Sequence, residues 1–144
     1  NAMTEALAIA ERHGSALGVE PETANVIDSA RQARRLLDEF QSPRLKIILD
    51  AANLFHPGDL TRMAGILDEA FDLLGRDLAL AHAKELGRDG HAGNLPLGAG
   101  VLDWDRYLSL IHQAHYNGPL VMHGLEESEI SRSTEFLRGR WRCV

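Results

Sequence analysis

The sequence predicts an α/β fold, one helix followed by four strand–helix units built on a parallel sheet. Two observations carry that prediction. Short apolar runs alternate with longer stretches whose apolar residues recur at helical spacing. Polar residues also close successive runs: Glu20, Asp50 and His82 recur at intervals of about 30 residues, the length of a βαβ unit.

The elements follow in order. Residues 4–13, TEALAIAERH, suit an Ala-rich helix that Gly14 stops. SALGVEPE (15–22) reads as a short strand ending in acids. DSARQARRLLDEF (28–40) reads as a helix with Asp28 or Ser29 as N-cap and an apolar stripe through Ala33, Leu36, Leu37 and Phe40. LKIILD (45–50) is aliphatic and follows the Ser42-Pro43 break, so it reads as a strand. A wide stripe from Leu60 to Leu74 marks a helix over 59–75, with Gly75 at its end. LALAHAKE (78–85) and PLVMHG (119–124) read as the third and fourth strands. Helices are expected at 103–115, opened by Asp103, and at 127–139. Strands that are apolar throughout and separated by helices imply a parallel sheet covered on at least one face.

The chain has 144 residues, 44% hydrophobic and 25% charged, with a formal net charge of −6. This suits a single domain over 1–144 with a real core. The acidic balance, without a basic stripe, disfavours nucleic acid as a partner. No apolar run approaches the roughly 18 residues of a membrane span. One cysteine, Cys143, fits a reducing and hence cytoplasmic setting. Asn1-Ala2 before Met3 resembles a cloning remnant.

Each strand closes on a polar residue: Glu20, Asp50, His82 and His123. In a parallel sheet the carboxyl ends share one edge, where α/β folds place ligands. Taken singly these residues have plainer readings, an acid as a helix cap or turn former, a histidine as a rim residue. Together, two carboxylates and two imidazoles form a set for a divalent metal, and suit Mn, Co, Fe or Zn better than Mg. Such a metal polarises a carbonyl or alkoxide while a carboxylate moves a proton. The longest loop, 86–101, is Gly-rich and holds Arg88, His91 and Asn94; a loop of that size is often functional.

Several strings, VEPE (19–22), IILDAANLFHP (48–57), LAHAKEL (80–86), PLGAGVLDWDRYL (96–108) and YNGPLVMHGLEESE (116–129), resemble the carboxyl-terminal half of the xylose isomerase-like TIM barrels, the sugar phosphate isomerase/epimerase superfamily. The resemblance implies strands five to eight of such a barrel and a divalent metal at its mouth. It implies Glu20, Asp50 and His82 as ligands, and Lys84 and Glu85 as part of the motif on strand seven. Three positions depart from the pattern. His123 stands where the superfamily has a Glu that serves as ligand and second base. Asn53 stands where a His is common, and Ala99 where a Glu is usual. One-base isomerisation or aldol-type chemistry through Glu20 is less affected by these changes than two-base epimerisation. Lys84 or Arg88 is expected to contact the oxygens of a small sugar or sugar-phosphate substrate.

Four strands leave two open edges and an inner face bearing apolar residues drawn from Val19, Ile47, Leu49, Leu80 and Val121. Self-association is the simplest remedy, and a homodimer closing an eight-stranded ring is expected; the alternative is pairing with a separate chain that supplies strands one to four. The alternative functional reading is a truncated, non-catalytic half-barrel that only self-associates. Endonuclease-IV-like phosphodiester hydrolysis ranks last, because it calls for more metal ligands than the chain offers. His112 and His115 read as surface residues, and Trp104 and Tyr107 as packing against the sheet.

Overall fold

A computed structural model describes residues 2–143. Its four strands are β1 (Leu17–Val19), β2 (Leu45–Asp50), β3 (Leu78–Ala83) and β4 (Leu120–Met122). They form one sheet in sequence order with every pairing parallel. The helices are α1 (Ala2–Arg12), α2 (Ala30–Phe40), α3 (Met63–Leu74), α4 (Trp104–Gln113) and α5 (Ile130–Trp141). This is half of a TIM barrel, open on both edges.

Local chemistry explains the boundaries. α1 stops at Gly14 as expected. α2 starts on Ser29, whose hydroxyl accepts from the Gln32 amide. α4 starts on Asp103, whose carboxylate accepts from the Arg106 amide. The helix expected over 59–75 has a tighter first turn, a 3₁₀ segment at Asp59–Arg62, and runs past Gly75 into another 3₁₀ turn, Gly75–Asp77. β1 is shorter than the expected 15–22, since Pro21 has no N–H to give to a ladder. β3 ends at Ala83 and β4 at Met122, so Lys84, Glu85 and His123 lie just beyond their strands.

The register assigns the two faces. Val19 pairs with Ile47, and Ile47 and Leu49 are fully buried beneath the helices with Leu45, Ala81 and Ala83. Val19, Ile47 and Leu49 therefore face the helix layer, and the candidate inner-face list is corrected to that extent. Ile48 pairs with Leu80, and His82 with Val121. These residues, with Gly18 and Lys46, line the concave face. Val121 keeps 42% of its surface exposed there. Leu37, Leu67, Phe71, Leu74, Tyr107, Leu108 and Ile111 fill the space between sheet and helices. Within this layer Phe71 and Tyr107 pack edge to face at 5.9 Å.

Candidate metal centre

Strand alternation puts Asp50 and His82 on the concave side as register partners. His123 is two residues beyond Val121, the partner of His82, and so shares that side. Glu20 follows the short β1 strand on the same rim. One ligand atom from each of Glu20, Asp50, His82 and His123 lies within 4.8 Å of every other. The structure thus brings together all four residues expected at the strand ends.

Asp50 is fully buried, and the other three are partly exposed. Its Oδ1 accepts from the Ala52 amide at 3.1 Å, so the carboxylate also caps the 3₁₀ turn Ala51–Leu54. Its Oδ2 faces His123 Nδ1 at 3.4 Å, His82 Nδ1 at 3.5 Å and Lys84 Nζ at 3.8 Å. Glu20 Oε1 lies 3.1 Å from His82 Nδ1 and accepts from Asn53 Nδ2 at 3.0 Å. Metal–ligand bonds of about 2.0–2.2 Å set neighbouring donor atoms roughly 2.8–3.6 Å apart in octahedral or tetrahedral sites. The three carboxylate–imidazole separations, 3.1, 3.4 and 3.5 Å, fall in that range. The donor set therefore fits a divalent ion with mixed oxygen and nitrogen ligands. The hydrogen bond to Asp50 raises the His82 pKa above the usual imidazole value, with Glu20 adding to it and burial opposing.

Asn53 was legible only as a departure from a family pattern, yet it joins the two sides of the site. Its Nδ2 donates to Glu20, and its Oδ1 accepts from Lys84 Nζ at 2.9 Å. Lys84 reaches the site because Gly93 and Gly124 leave room. A Cβ at either position would sit 3.0–3.1 Å from Lys84 Cε. Both also have positive φ, which other residues rarely adopt. Beneath the rim, the buried Tyr107 hydroxyl donates to the His82 carbonyl at 2.8 Å and tethers the end of β3. Burial and the nearby Asp50 charge push its pKa well up, so it stays a neutral donor.

Glu85, the last residue of the strand-seven motif, anchors the loop that follows it. It is fully buried. Oε1 accepts from the Leu86 and Leu102 amides at 3.0 and 3.1 Å, and Oε2 from the Gly98 amide and Trp104 Nε1 at 2.6 and 2.9 Å. One carboxylate thereby ties both ends of the 86–101 loop to the start of α4. Further along, the Asn94 amide donates to the Gly124 carbonyl at 2.7 Å and brings the loop beside the rim. Of the loop residues singled out, His91 lines a cavity of about 340 Å³ with Asn53, Lys84 and Glu22. Arg88 is exposed and is absent from that lining. His112 and His115 are exposed, as expected. No helix among the described residues is long and apolar enough to cross a membrane.

The family model for the xylose isomerase-like TIM barrel matches residues 1–140. A ketose 3-epimerase of Arthrobacter globiformis is 29% identical over 119 residues, 82% of this chain and 37% of that protein. A D-tagatose 3-epimerase-like protein superposes with a TM-score of 0.76 at 17% identity, over 99% of this chain and 52% of that one. The IOLI protein, solved with a bound zinc atom, superposes at 0.72 with 15% identity, over 96% of this chain and 51% of that one. The two structural likenesses establish the fold alone, and the chain spans about half the length of those structures and less of the curated relative. On the match across nearly all its length, the chain belongs to the xylose isomerase-like TIM barrel family.

Proposed function

We propose that this chain carries the metal-binding half of a sugar or sugar-phosphate isomerase or epimerase. The observation that carries this reading is the convergence of Glu20, Asp50, His82 and His123, each delivered by its own strand, on one small volume. Those four residues would hold the ion, which when bound supplies Lewis-acid polarisation of a substrate carbonyl or hydroxyl.

The remaining chemistry belongs to the side chains. Asn53 and His82 fix Glu20 through Oε1, and Oε2 takes no hydrogen bond among the described residues. Glu20 can thus act as a ligand, or as the base that moves a proton beside the substrate carbonyl. Lys84 projects its ammonium into the same space and offers charge to a substrate oxygen. With His123 where a second carboxylate would stand, the geometry suits one-base proton transfer better than two-base epimerisation. The small, polar rim fits a sugar. The single cysteine suits a cytoplasmic setting, and the acidic balance suits a small-molecule substrate rather than nucleic acid.

A second reading, a half-barrel without turnover, is favoured by the open concave face: Val121 and half of the His123 side chain are exposed. Turnover needs a unit that closes this face and excludes water. The self-closing homodimer expected from the sequence is one candidate for that unit.

The test is proton exchange. Metal-loaded protein is incubated in D₂O with a panel of ketoses and ketose phosphates and followed by NMR. Deuterium entering the carbon next to the carbonyl, and absent with Glu20→Gln, supports the reading. No exchange across the panel, with metal bound, supports the scaffold.

A further inference from the structure

Beside the metal centre lies the cavity of about 340 Å³, near the lower end of the size range of small-molecule sites. Asn53 and Lys84 form the wall it shares with the centre, and Glu22, Thr23, Phe55 and His91 line it further. The 22–27 loop is folded so that Glu22 stays at this wall. The Glu22 amide donates to the Ile27 carbonyl at 3.0 Å, and the Asn25 amide to the Glu22 carbonyl at 2.8 Å. The Thr23 amide donates to the Asn53 carbonyl at 3.1 Å and ties the loop to the turn after β2. Asn25 Nδ2 donates to Glu22 Oε2 at 3.0 Å, while Oε1 accepts no hydrogen bond among the described residues.

The wall offers what a polyol uses. Glu22 accepts from a hydroxyl, Lys84 donates to one, and Phe55 with Pro57 gives an apolar surface for the C–H face of a sugar. The same wall is poorly suited to a phosphate. Among the described residues that line it, Lys84 is the one lysine or arginine. Its Nζ already donates to Asn53 Oδ1 at 2.9 Å and faces Asp50 Oδ2 at 3.8 Å. With Glu20 and Asp50 offset by a divalent ion, Lys84 and Glu22 offset each other, and no surplus positive charge remains for a dianion. TIM barrels commonly hold phosphate at the loops after the last two strands and at a helix start beyond them. In this chain that place is acidic: Glu126, Glu127 and Glu129 lead into α5, and their carboxylates already occupy the positive end of the helix.

We propose that Glu22 is a specificity-determining residue, whose carboxylate admits an unphosphorylated sugar to this cavity and turns away the phosphate ester of the same sugar. The proposal rests on the isomerase or epimerase reading above and narrows it to one substrate class. Repulsion between the Glu22 carboxylate and a phosphate dianion in the cavity is worth about 10-fold in affinity.

The test reads binding rather than turnover. The metal-loaded chain is titrated with D-fructose, D-fructose 1-phosphate and D-fructose 6-phosphate, which carry the phosphate at either end of one ketose. Saturation-transfer NMR gives the dissociation constants. The same titrations on metal-free protein separate failure to hold metal, which counts against the isomerase reading, from failure of charge selection. Fructose should bind wild type at least about 10-fold more tightly than either phosphate ester, and Glu22→Gln should narrow that ratio by about 10-fold. Glu39→Gln removes the same charge from an exposed position near the carboxyl end of α2, at the opposite end of the sheet. It should leave the ratio as in wild type, because a distant surface charge is screened by salt. A phosphate ester that binds wild type as tightly as fructose overturns the proposal, as does wild type that takes up no fructose. So does a ratio that Glu22→Gln leaves unchanged, or that Glu39→Gln shifts as far as Glu22→Gln does.

Discussion

Replacing Glu85 with Gln should loosen the loop beside the metal centre, and the structure sets the size of the effect. Each carboxylate oxygen accepts two hydrogen bonds, and the residue is fully buried. An amide has one acceptor oxygen. With its NH₂ at the Oε1 position it faces the Leu86 and Leu102 amides; at the Oε2 position it faces the Gly98 amide and the Trp104 indole. Either way two buried donors lose their acceptor and meet another donor. Each such donor costs about 1–3 kcal/mol. Removing a buried charge offsets part of this. The expected loss is about 3 kcal/mol, and for a domain of this size that lowers Tm by roughly 10 °C. Circular dichroism melts of wild type and Glu85→Gln, without added metal, measure it. A Tm within about 2 °C of wild type, a loss below roughly 1 kcal/mol, would refute the idea that this carboxylate anchors the loop.

Three further outcomes are expected. Tyr107→Phe removes the hydroxyl that holds the His82 carbonyl and should cost about 1–2 kcal/mol in urea unfolding; an unchanged midpoint would show that the tether is idle. Asn53→Ala frees Glu20 and Lys84 together and should weaken metal binding about 10- to 100-fold by calorimetry, whereas unaltered affinity would remove Asn53 from the site. His82 binds its proton more tightly folded than unfolded. In metal-free protein the stability this gives is complete below the unfolded imidazole value of about 6.5 and is lost as pH rises through the raised folded value. His82→Gln should therefore flatten the stability profile in that window, and an identical slope in wild type and variant would contradict the assignment.

The sequence carried the order of the elements and the strand-end positions, because a run such as Leu45–Leu49 closing on Asp50 is a local pattern. Which residues face the concave side was not legible. LKIIL is almost continuously apolar, so only pairing with β3, including the register shift between Ile47 and Ile48, separates Ile48 from its neighbours. Asp50 shows why single-residue readings mislead: it is both the plain turn cap and the centre of the cluster. The role of Glu85 was hidden because its four donors come from residues 86, 98, 102 and 104, brought together only by the folded loop. Asn53 was hidden because its partners, Glu20 and Lys84, lie on two other strand–helix units.

The most direct measurement is equilibrium dialysis of the purified chain against Mn²⁺, Co²⁺ and Zn²⁺ in turn, followed by elemental analysis of wild type and Asp50→Asn. If the four strand ends form one coordination site, wild type retains one ion per chain with at least one of these metals, and Asp50→Asn, still folded by circular dichroism, retains none. Wild type that retains none of the three metals, or a variant that retains as much as wild type, would contradict the account.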